Sequence, residues 1–501
     1  MNSMRGKTKM ATDGRWVAPV RIIFLVLCLL IASTGTYGQT LPSKARILEK
    51  MKLANDYFIN DRNHDPCTNC LAGILPSNIW TRAVYYEGAL AYFAVSKDSA
   101  ALAHAVKWGT FHSWNISSIT TTNADDQCAG QSYIDLYRLD EKPERIANIK
   151  ACIDRMMNNS SNNFWTWIDA IQMAMPIFAK LGVQYDDTKY FDKMYRLFNY
   201  PKTTLGLYNQ KDSLWWRDET FKSAKSPSGK NIYWSRGNGW VFAALVRVLD
   251  ELPSTDSHRE EYETIVKEMA GALKEVQRSD GFWNENLADP DHFGGPEVTG
   301  TGLFTFGMAW GINNGLLSAA DYLPTIEKAW GAIADSAIFS NGKLGYVQGT
   351  GDSPGANGHG RTNVTPSRNI VPDFDDYGLG CVLLAGSEVA KLAGGQTGLS
   401  RTRNPSISRP AVHKVFGNRP VAVDLPHGTP IFLTLFDLTG KVVARKRVHR
   451  GALDHIHRLN CSEKAYVAKT VCQREWEAGA NPVSGYDPTP QGAYVTPRRV
   501  P

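Results

Sequence analysis

Six predicted helices of this 501-residue chain are apolar on nearly every face, and each follows a cluster of polar or aromatic residues. A helix that is apolar all round is a buried helix, so six of them require a fold with a large helical interior. Small residues along these helices would let their backbones pack closely. The clusters begin at Trp80, Asp125, Trp165, Trp234, Glu297 and Asp375.

The segments between these helices are amphipathic, as residues 259–277 illustrate. Successive clusters stand 40 to 78 residues apart, which leaves room for one helix running out and one running back. Six buried helices that alternate with six amphipathic ones predict an all-α fold, an (α/α)6 barrel with an inner and an outer ring. The N-terminal ends of the inner helices would then share one mouth. A generic helical array without a common mouth is the alternative.

The N-terminus has the pattern of an export signal. A basic stretch that ends at Arg21 precedes an apolar run over residues 22–31, and small and polar residues follow as far as Gly38. The run is short for a membrane span and has the flanks of a signal peptide. We therefore predict a signal peptide over residues 1–38 and an exported protein that is periplasmic, at the cell surface or secreted. An uncleaved anchor is the alternative.

The rest of the chain divides into a long body and a short C-terminal part. Residues 39–394 carry the six clusters and are predicted to form the (α/α)6 domain, which is followed by a linker over residues 395–410. Residues 411–475 contain alternating apolar residues around a Leu-Thr-Gly turn, which predict a small β-rich module with a hairpin. The Pro/Gly-rich residues 476–501 are predicted to be disordered.

Charge is unevenly distributed along the chain. The formal net charge of the whole sequence is +6, but residues 1–38 contribute +4 and residues 401–501 contribute +9. Residues 39–400 therefore carry a net charge of −7. A mildly acidic domain has no general attraction for nucleic acid, so an anionic substrate would have to be held by a few placed cations.

The sequence gives little sign of a metal or a cofactor. Cys67 and Cys70 form a lone CxxC pair without the second pair or the histidines of a zinc site. In an exported protein the cysteines could form a disulfide or remain buried thiols. The HExxH motif and nucleotide-type glycine loops are absent from the sequence. We expect no cofactor and no metal requirement.

One carboxylate stands out as a candidate acid. The segment FWTWID places Asp169 in the first turn of a buried helix, directly after Trp165 and Trp167. A carboxylate there could simply be a charge partner for the helix dipole. Apolar surroundings would instead raise its pKa and make it a usable acid near neutral pH. The two tryptophans offer flat faces on which sugar rings could stack.

Other candidates for substrate binding lie in three further segments. In WSRGNGW, Arg236 could form paired hydrogen bonds with a carboxylate and Trp240 could supply a stacking face, although a tight turn with a structural arginine is the alternative. One carboxylate of the pair that begins at Asp125 could bind sugar hydroxyls while the other caps the helix. Trp215 could be a sugar platform or could pack against an outer helix.

Five segments taken together carry a resemblance to a known family. They are, in order, DDQCAGQSYIDLY, WTWIDAIQMAMP, WSRGNGWVFAAL, EVTGTGLFTFGMAWGINNGLL and DDYGLGCVLLAGSEVAKL. The chain resembles glycoside hydrolase family 105, the unsaturated rhamnogalacturonyl hydrolases, which is related to the unsaturated glucuronyl hydrolases of family 88. The resemblance covers about residues 45–394 and implies an (α/α)6 barrel, in agreement with the pattern of buried helices.

The resemblance also implies an unusual hydrolysis. Members of the family act on lyase-generated oligosaccharides, of rhamnogalacturonan or ulvan type, whose terminal uronic acid has a C4=C5 double bond. They protonate C4 and add water at C5, and the resulting hemiketal opens and releases the next sugar. One acid/base carboxylate suffices, whereas ordinary glycosidases use two carboxylates that flank the bond.

The resemblance assigns roles to single residues. Asp169 matches the family's acid/base, Trp167 matches its neighbouring stacking aromatic, and Asp125 matches the carboxylate of the second inner helix. Arg236 and Trp240 match the substrate-contacting pair.

The chain departs from the family in one segment. Many members have a histidine where this sequence reads LWWRD over residues 214–218. Either Trp215 or Arg217 makes that contact, or the sugar in the next subsite differs.

Two other functions and the role of the C-terminal module stay open at this point. A sugar epimerase or isomerase on the same barrel would need paired histidines at the inner-helix ends. A non-catalytic glycan-binding protein would keep Trp167 and Trp240 but would not need Asp169. Residues 434–443 are similar to the C-terminal sorting modules of secreted bacterial carbohydrate enzymes, so secretion machinery is a candidate partner; a carbohydrate-binding module is the alternative.

Overall fold

A computed structural model of the chain describes residues 41–61, 65–71, 75–356, 366–368 and 376–395, together with the backbone of three strands between residues 431 and 472. The predicted signal peptide, nearly all of the linker and the C-terminal tail lie outside the described residues. The chain divides into two units, Met1–Leu399 and Ser400–Pro501.

The first unit is helical in the part that the structure describes. Its helices are α1 (Lys44–Asp56), α2 (Trp80–Ser96), α3 (Ser99–Phe111), α4 (Ala124–Gln127), α5 (Ala129–Leu139), α6 (Glu144–Met157), α7 (Asp169–Tyr185), α8 (Lys189–Asn199), α9 (Thr220–Ser223), α10 (Ser235–Glu251), α11 (Arg259–Glu275), α12 (Val298–Asn313), α13 (Ala319–Gly331) and α14 (Asp376–Gly395). A short hairpin of β1 (Tyr208–Asn209) and β2 (Leu214–Trp215) lies between α8 and α9.

The long helices alternate between an inner and an outer ring. The inner helices α2, α5, α7, α10, α12 and α14 are buried along most of their length. Each contacts the next, and α14 contacts α2, so the inner ring closes. The outer ring consists of α1, α3, α6, α8, α11 and α13. The predicted all-α (α/α)6 barrel is confirmed, and helix begins within four residues of the start of every predicted cluster.

Glycine makes the closure of the inner ring possible. A Cβ atom on Gly88 of α2 would lie 2.4 Å from the carbonyl oxygen of Gly380 on α14, and one on Gly380 would lie 2.2 Å from the carbonyl oxygen of Val84. Real Cβ atoms do not come this close to backbone atoms, so α2 and α14 cross with their backbones in contact. The predicted role of small residues in close helix packing is visible at this crossing.

The second unit contains a three-stranded antiparallel sheet. Its strands are β3 (Ile431–Phe436), β4 (Val442–Val448) and β5 (Val467–Cys472), in the order β4-β3-β5. β3 and β4 pair through the segment in which the sequence predicts a hairpin, with an irregularity in register at Leu435 and Phe436.

The described cysteines adopt both states that the sequence left open. Cys67 and Cys70 form a disulfide with a Cα–Cα distance of 5.7 Å. Cys128, Cys152 and Cys381 are buried free thiols. Among the described helices, none has the length and hydropathy that a membrane crossing requires.

Candidate active site

The segments that precede the inner helices are joined to one another at the mouth of the barrel. Ile168, just before α7, donates its N–H to the carbonyl of Arg217 (3.0 Å). Ser235, at the start of α10, donates its N–H to the carbonyl of Glu285 (2.7 Å). These hydrogen bonds satisfy backbone groups that a helix N-terminus leaves free, and they fix the segments that carry the candidate side chains.

Asp169 is the first residue of α7 and is 9% exposed. Its Oδ2 lies 3.3 Å from Nε of Arg217. Burial raises the pKa of the Asp169 carboxyl, and the positive charges of Arg217 and Arg236 oppose the rise. Because desolvation outweighs these charges, Asp169 is a carboxyl that can hold a proton above its ordinary pKa.

Asp125 lies on α4 and is electrostatically coupled to Asp169. Burial raises the pKa of Asp125 to about 7, and the negative charges of Asp169 and Asp126 add to the rise. Two carboxyls that repel each other in a poorly solvated site share protons and titrate as a pair. The mouth therefore contains a pair of carboxyls that retains a proton near neutral pH.

The cap of α4 is a residue that the sequence reasoning did not consider. The side chain of Asn123 accepts the N–H of Asp125 (2.9 Å). Asp126 accepts the hydroxyl of Thr121 (2.8 Å) and so fastens the preceding loop. Neither bond uses the carboxyl of Asp125, in keeping with a carboxyl that is available to a ligand.

Arg217 is the cation nearest to the candidate acid. It follows β2, contacts Asp169 through Nε and donates from Nη1 to Asp218 (2.9 Å). Its side chain is 22% exposed. Of the two residues proposed for the departing segment, the structure brings Arg217 to Asp169.

Trp215 and Trp240 do not lie at an open surface. Trp215 is fully buried and packs on Tyr208 of β1, with ring centres 4.9 Å apart. Trp240 is fully buried on α10, and the centre of its ring lies 6.3 Å from the ring centre of Trp80. Neither ring presents an open face in this structure, and the contact of these two tryptophans with substrate stays a prediction. Both rings fill the interior.

Arg236 is also fully buried, and its hydrogen bonds go to the protein backbone. Nη1 donates to the carbonyl of Gln348 (2.8 Å) and Nη2 to the carbonyl of Gly349 (2.9 Å). The guanidinium lies 4.6 Å from the ring centre of Trp234 and 5.1 Å from that of Tyr377. The guanidinium therefore forks onto a loop in this structure, as the structural alternative expects, and its contact with a substrate carboxylate stays a prediction.

The partly exposed tryptophans include the expected Trp167 and two that were not predicted to bind substrate. Trp167 is partly buried against the core and keeps an accessible portion, as a stacking residue requires. Trp165, in contrast, is fully buried and packs edge-on against Phe178. Trp80 and Trp216 are also partly exposed. The sequence pattern did not distinguish them, because Trp80 reads as the start of a helix and Trp216 as one of a pair.

The structure adds a buried carboxyl that the sequence reasoning missed. Glu285 is fully buried and accepts hydrogen bonds from Nε2 of Gln348 (2.8 Å) and the N–H of Gly355 (2.5 Å). Burial raises the pKa of Glu285 to about 8. Through Gln348, which Arg236 also holds, Glu285 anchors the loop over residues 348–356. No sequence signal marks it, since its partners are 63 and 70 residues away.

The side chains at the mouth of the barrel are suited to acid–base chemistry. Within the described ranges, no three His, Cys, Asp or Glu side chains lie close enough together to hold a metal ion. The mouth instead combines two protonatable carboxyls with one guanidinium. Such a set can deliver a proton and bind an anionic group next to it.

Comparison with known proteins places this site in a family. The profile described as Glycosyl Hydrolase Family 88 matches residues 50–393. An unsaturated 3S-rhamnoglycuronyl hydrolase from Formosa agariphila is 31% identical over 392 residues, which cover 74% of this chain and 97% of that protein. A glycosyl hydrolase family 88 structure from Bacteroides vulgatus is 30% identical with a TM-score of 0.63, over 70% of this chain and 99% of that chain.

The likeness to a more distant structure shows only that the fold is shared. A family 105 glycoside hydrolase from C. acetobutylicum is 21% identical with a TM-score of 0.56, over 68% of this chain and 99% of that chain. The resemblance inferred from the five segments is confirmed for family 88, the related family named with it, and the protein is a glycoside hydrolase. By the match of residues 50–393, the chain belongs to glycosyl hydrolase family 88.

Proposed function

We propose that this glycoside hydrolase removes the terminal 4,5-unsaturated uronic acid from oligosaccharides that polysaccharide lyases release. The observation that carries the proposal is the nearly buried carboxyl of Asp169, which lies 3.3 Å from Nε of Arg217 and whose pKa, like that of the coupled Asp125, is raised by burial. Hydration of an enol ether begins with a proton transfer to carbon, so it needs a carboxylic acid beside the double bond.

In the proposed reaction Asp169 is the acid and then the base. Its carboxyl gives a proton to C4, and the positive charge that develops at C5 and the ring oxygen is met by water. The resulting Asp169 carboxylate takes a proton from that water as the C5–O bond forms. The hemiketal then opens, the bond to the next sugar breaks, and the aglycone leaves as an alcohol. One water is consumed and Asp169 ends in its starting form.

The sugar next to the unsaturated residue is proposed to be rhamnose. The support is the name of the Formosa agariphila relative, an unsaturated 3S-rhamnoglycuronyl hydrolase.

The test of the proposed function is to incubate the protein with lyase digests of ulvan and, separately, of rhamnogalacturonan, and to follow the ultraviolet absorbance of the conjugated alkene. Loss of absorbance with release of a saturated-end sugar supports the proposal. Absorbance that stays constant on every unsaturated oligosaccharide contradicts it.

Arg217 is proposed to hold the carboxylate of the unsaturated uronic acid. Arg217→Lys should raise KM by about 10-fold or more, because an ammonium cannot reproduce the paired hydrogen bonds of a guanidinium to a carboxylate. Steady-state kinetics on the absorbance assay measures the change. Arg196→Lys, at an exposed position of α8, is the matched control and should leave KM as it is. An unchanged KM in Arg217→Lys would assign the carboxylate to another group.

The protein is proposed to be exported, with the C-terminal module as a candidate for recognition by secretion machinery. Support comes from the signal pattern over residues 1–38 and from the Cys67–Cys70 disulfide, since disulfides persist in oxidising compartments. Expression in a bacterial host should yield a mature chain that begins near Gln39, as N-terminal sequencing of the fractions outside the cytoplasm would determine. A chain that retains Met1 and stays in the cytoplasm would contradict this.

A further inference from the structure

A buried lysine on the outer ring holds the loop that leads to the candidate acid. Lys193 of α8 is 1% exposed. Its Nζ donates to the carbonyl of Asn159 (2.8 Å), the carbonyl of Ser161 (2.7 Å) and Oδ1 of Asn162 (2.9 Å). An ammonium has three N–H donors and no acceptor, so these three bonds satisfy the whole head group.

All three acceptors are neutral oxygens. Among the described residues, no carboxylate forms an ion pair with Lys193. The centre of the Phe164 ring lies 5.8 Å from Nζ. Burial lowers the pKa of Lys193, and the charge of Arg196 adds to the effect. A buried charge without a counter-ion is costly, and the loop oxygens offset the cost by taking the place of water around the cation.

The loop that Lys193 holds is the connection between α6 and α7. Further along it, Trp165 is fixed in the core and the N–H of Ile168 is bonded to the carbonyl of Arg217. Trp167 and Asp169 follow these two anchors. The first half of the loop, residues 159–162, is held by the ammonium group of Lys193. The ring of Phe164 lies beside that ammonium group.

We propose that Lys193 is a positioning residue, an internal cation that orders residues 159–162 and thereby sets Phe164 and Trp167 at the mouth for the incoming oligosaccharide. This inference rests on the proposed function, since it assumes that a sugar stacks at the mouth. Lys193 touches no reacting atom, so its loss weakens substrate binding and leaves proton transfer largely intact. The oxygens that surround Nζ form a small cation cage, which a free ammonium ion can fill when the lysine side chain is removed.

The test measures binding without turnover. In an Asp169→Asn background, the Kd for an unsaturated oligosaccharide is measured by calorimetry for the parent, Lys193→Ala, Lys193→Met and the control Lys189→Met. Lys189 is exposed at the start of the same helix. We expect Lys193→Ala and Lys193→Met to raise Kd about tenfold, as for the loss of an aromatic contact, and Lys189→Met to leave it unchanged.

Two further readouts separate positioning from simple stability. Ammonium or methylammonium chloride, compared with sodium chloride at equal ionic strength, should restore binding in Lys193→Ala and not in Lys193→Met, whose side chain occupies the cage. Amide hydrogen exchange should rise over residues 158–168 in both variants and should fall again with ammonium in Lys193→Ala.

The outcomes distinguish the two proposals. If the parent binds no unsaturated oligosaccharide, the proposed function fails and the positioning role fails with it. If the parent binds, and the Lys193 variants bind equally well while only their melting temperature falls, the lysine is a stability element and this inference alone is overturned. Weaker binding that ammonium does not restore in Lys193→Ala also overturns the cation cage.

Discussion

Asp169→Asn should lower kcat by about 10²–10⁴-fold, the usual contribution of a general acid, while KM changes little. The asparagine keeps the shape of the side chain and one acceptor for Arg217, but it cannot deliver a proton to C4. Burial raises the pKa of Asp169 although the positive charges of two arginines lower it. A bound sugar would exclude more water from the carboxyl. The substitution therefore removes the step that the environment of this carboxyl prepares.

The pH dependence of the wild type gives a second check on the same group. Because the acid must carry its proton, kcat/KM should fall as pH rises through the upper pKa of the Asp125–Asp169 pair. Burial and the charge of Asp169 place the pKa of Asp125 at about 7, so the decline is expected around neutral pH. Such profiles report apparent values of the pair and not of one residue.

A helix-capping role for Asp169 predicts the opposite pattern. A carboxylate that only favours the helix dipole contributes about 1 kcal/mol or less, so Asp169→Asn would lower the melting temperature slightly and leave turnover intact. Asp192→Asn is the matched control, since Asp192 is an exposed carboxylate in the first turn of α8. A stable and fully active Asp169→Asn enzyme would overturn the assignment and make Asp125 the next candidate.

Asp376→Ala should destabilise the barrel by about 1.5–3 kcal/mol, the contribution of a hydrogen bond between charged groups. Oδ2 of Asp376 accepts a hydrogen bond from Nε of Arg82 (2.7 Å), and each side chain is only 2% exposed. The pair joins α14 to α2, where the inner ring closes. Denaturant unfolding, followed by tryptophan fluorescence, measures the loss.

Two variants show whether the missing charge is the cause. Removal of both partners in Arg82→Met with Asp376→Leu should recover part of the stability, because well-packed apolar side chains of similar volume can replace a buried ion pair. Glu49→Ala, which breaks the exposed pair with Arg46, should cost about 1 kcal/mol or less. If Asp376→Ala were no more harmful than Glu49→Ala, the Arg82–Asp376 pair would not hold the closure.

The barrel itself was readable from the sequence because full burial of a helix is a local property of composition. A stretch such as residues 298–311 has no polar face to turn toward water, and every residue in it is buried. The position of Asp169 was readable for the same reason, since a carboxylate in the first turn of such a helix must face the end of the barrel. Its role as the proton donor stays a prediction.

The sequence did not show which of the tryptophans and arginines are enclosed in the interior and which stay accessible. Only the tertiary structure decided this. Trp167 and Trp240 belong to equally suggestive segments, yet Trp240 is enclosed in the interior while Trp167 keeps an accessible face. The direction of each side chain depends on neighbours from other helices, which local sequence does not specify.

The arginines illustrate the same limit. Arg236 is satisfied by carbonyls 112 and 113 residues further along the chain, whereas Arg217 reaches an aspartate 48 residues before it. Both side chains are long, charged and preceded by tryptophan-containing segments, so their residue type favours neither role. A chain determines by itself which helices must be buried, because burial follows from composition. The partner of a buried guanidinium is decided by the packed fold, because hydrogen bonds form with the groups that folding brings within about 3 Å.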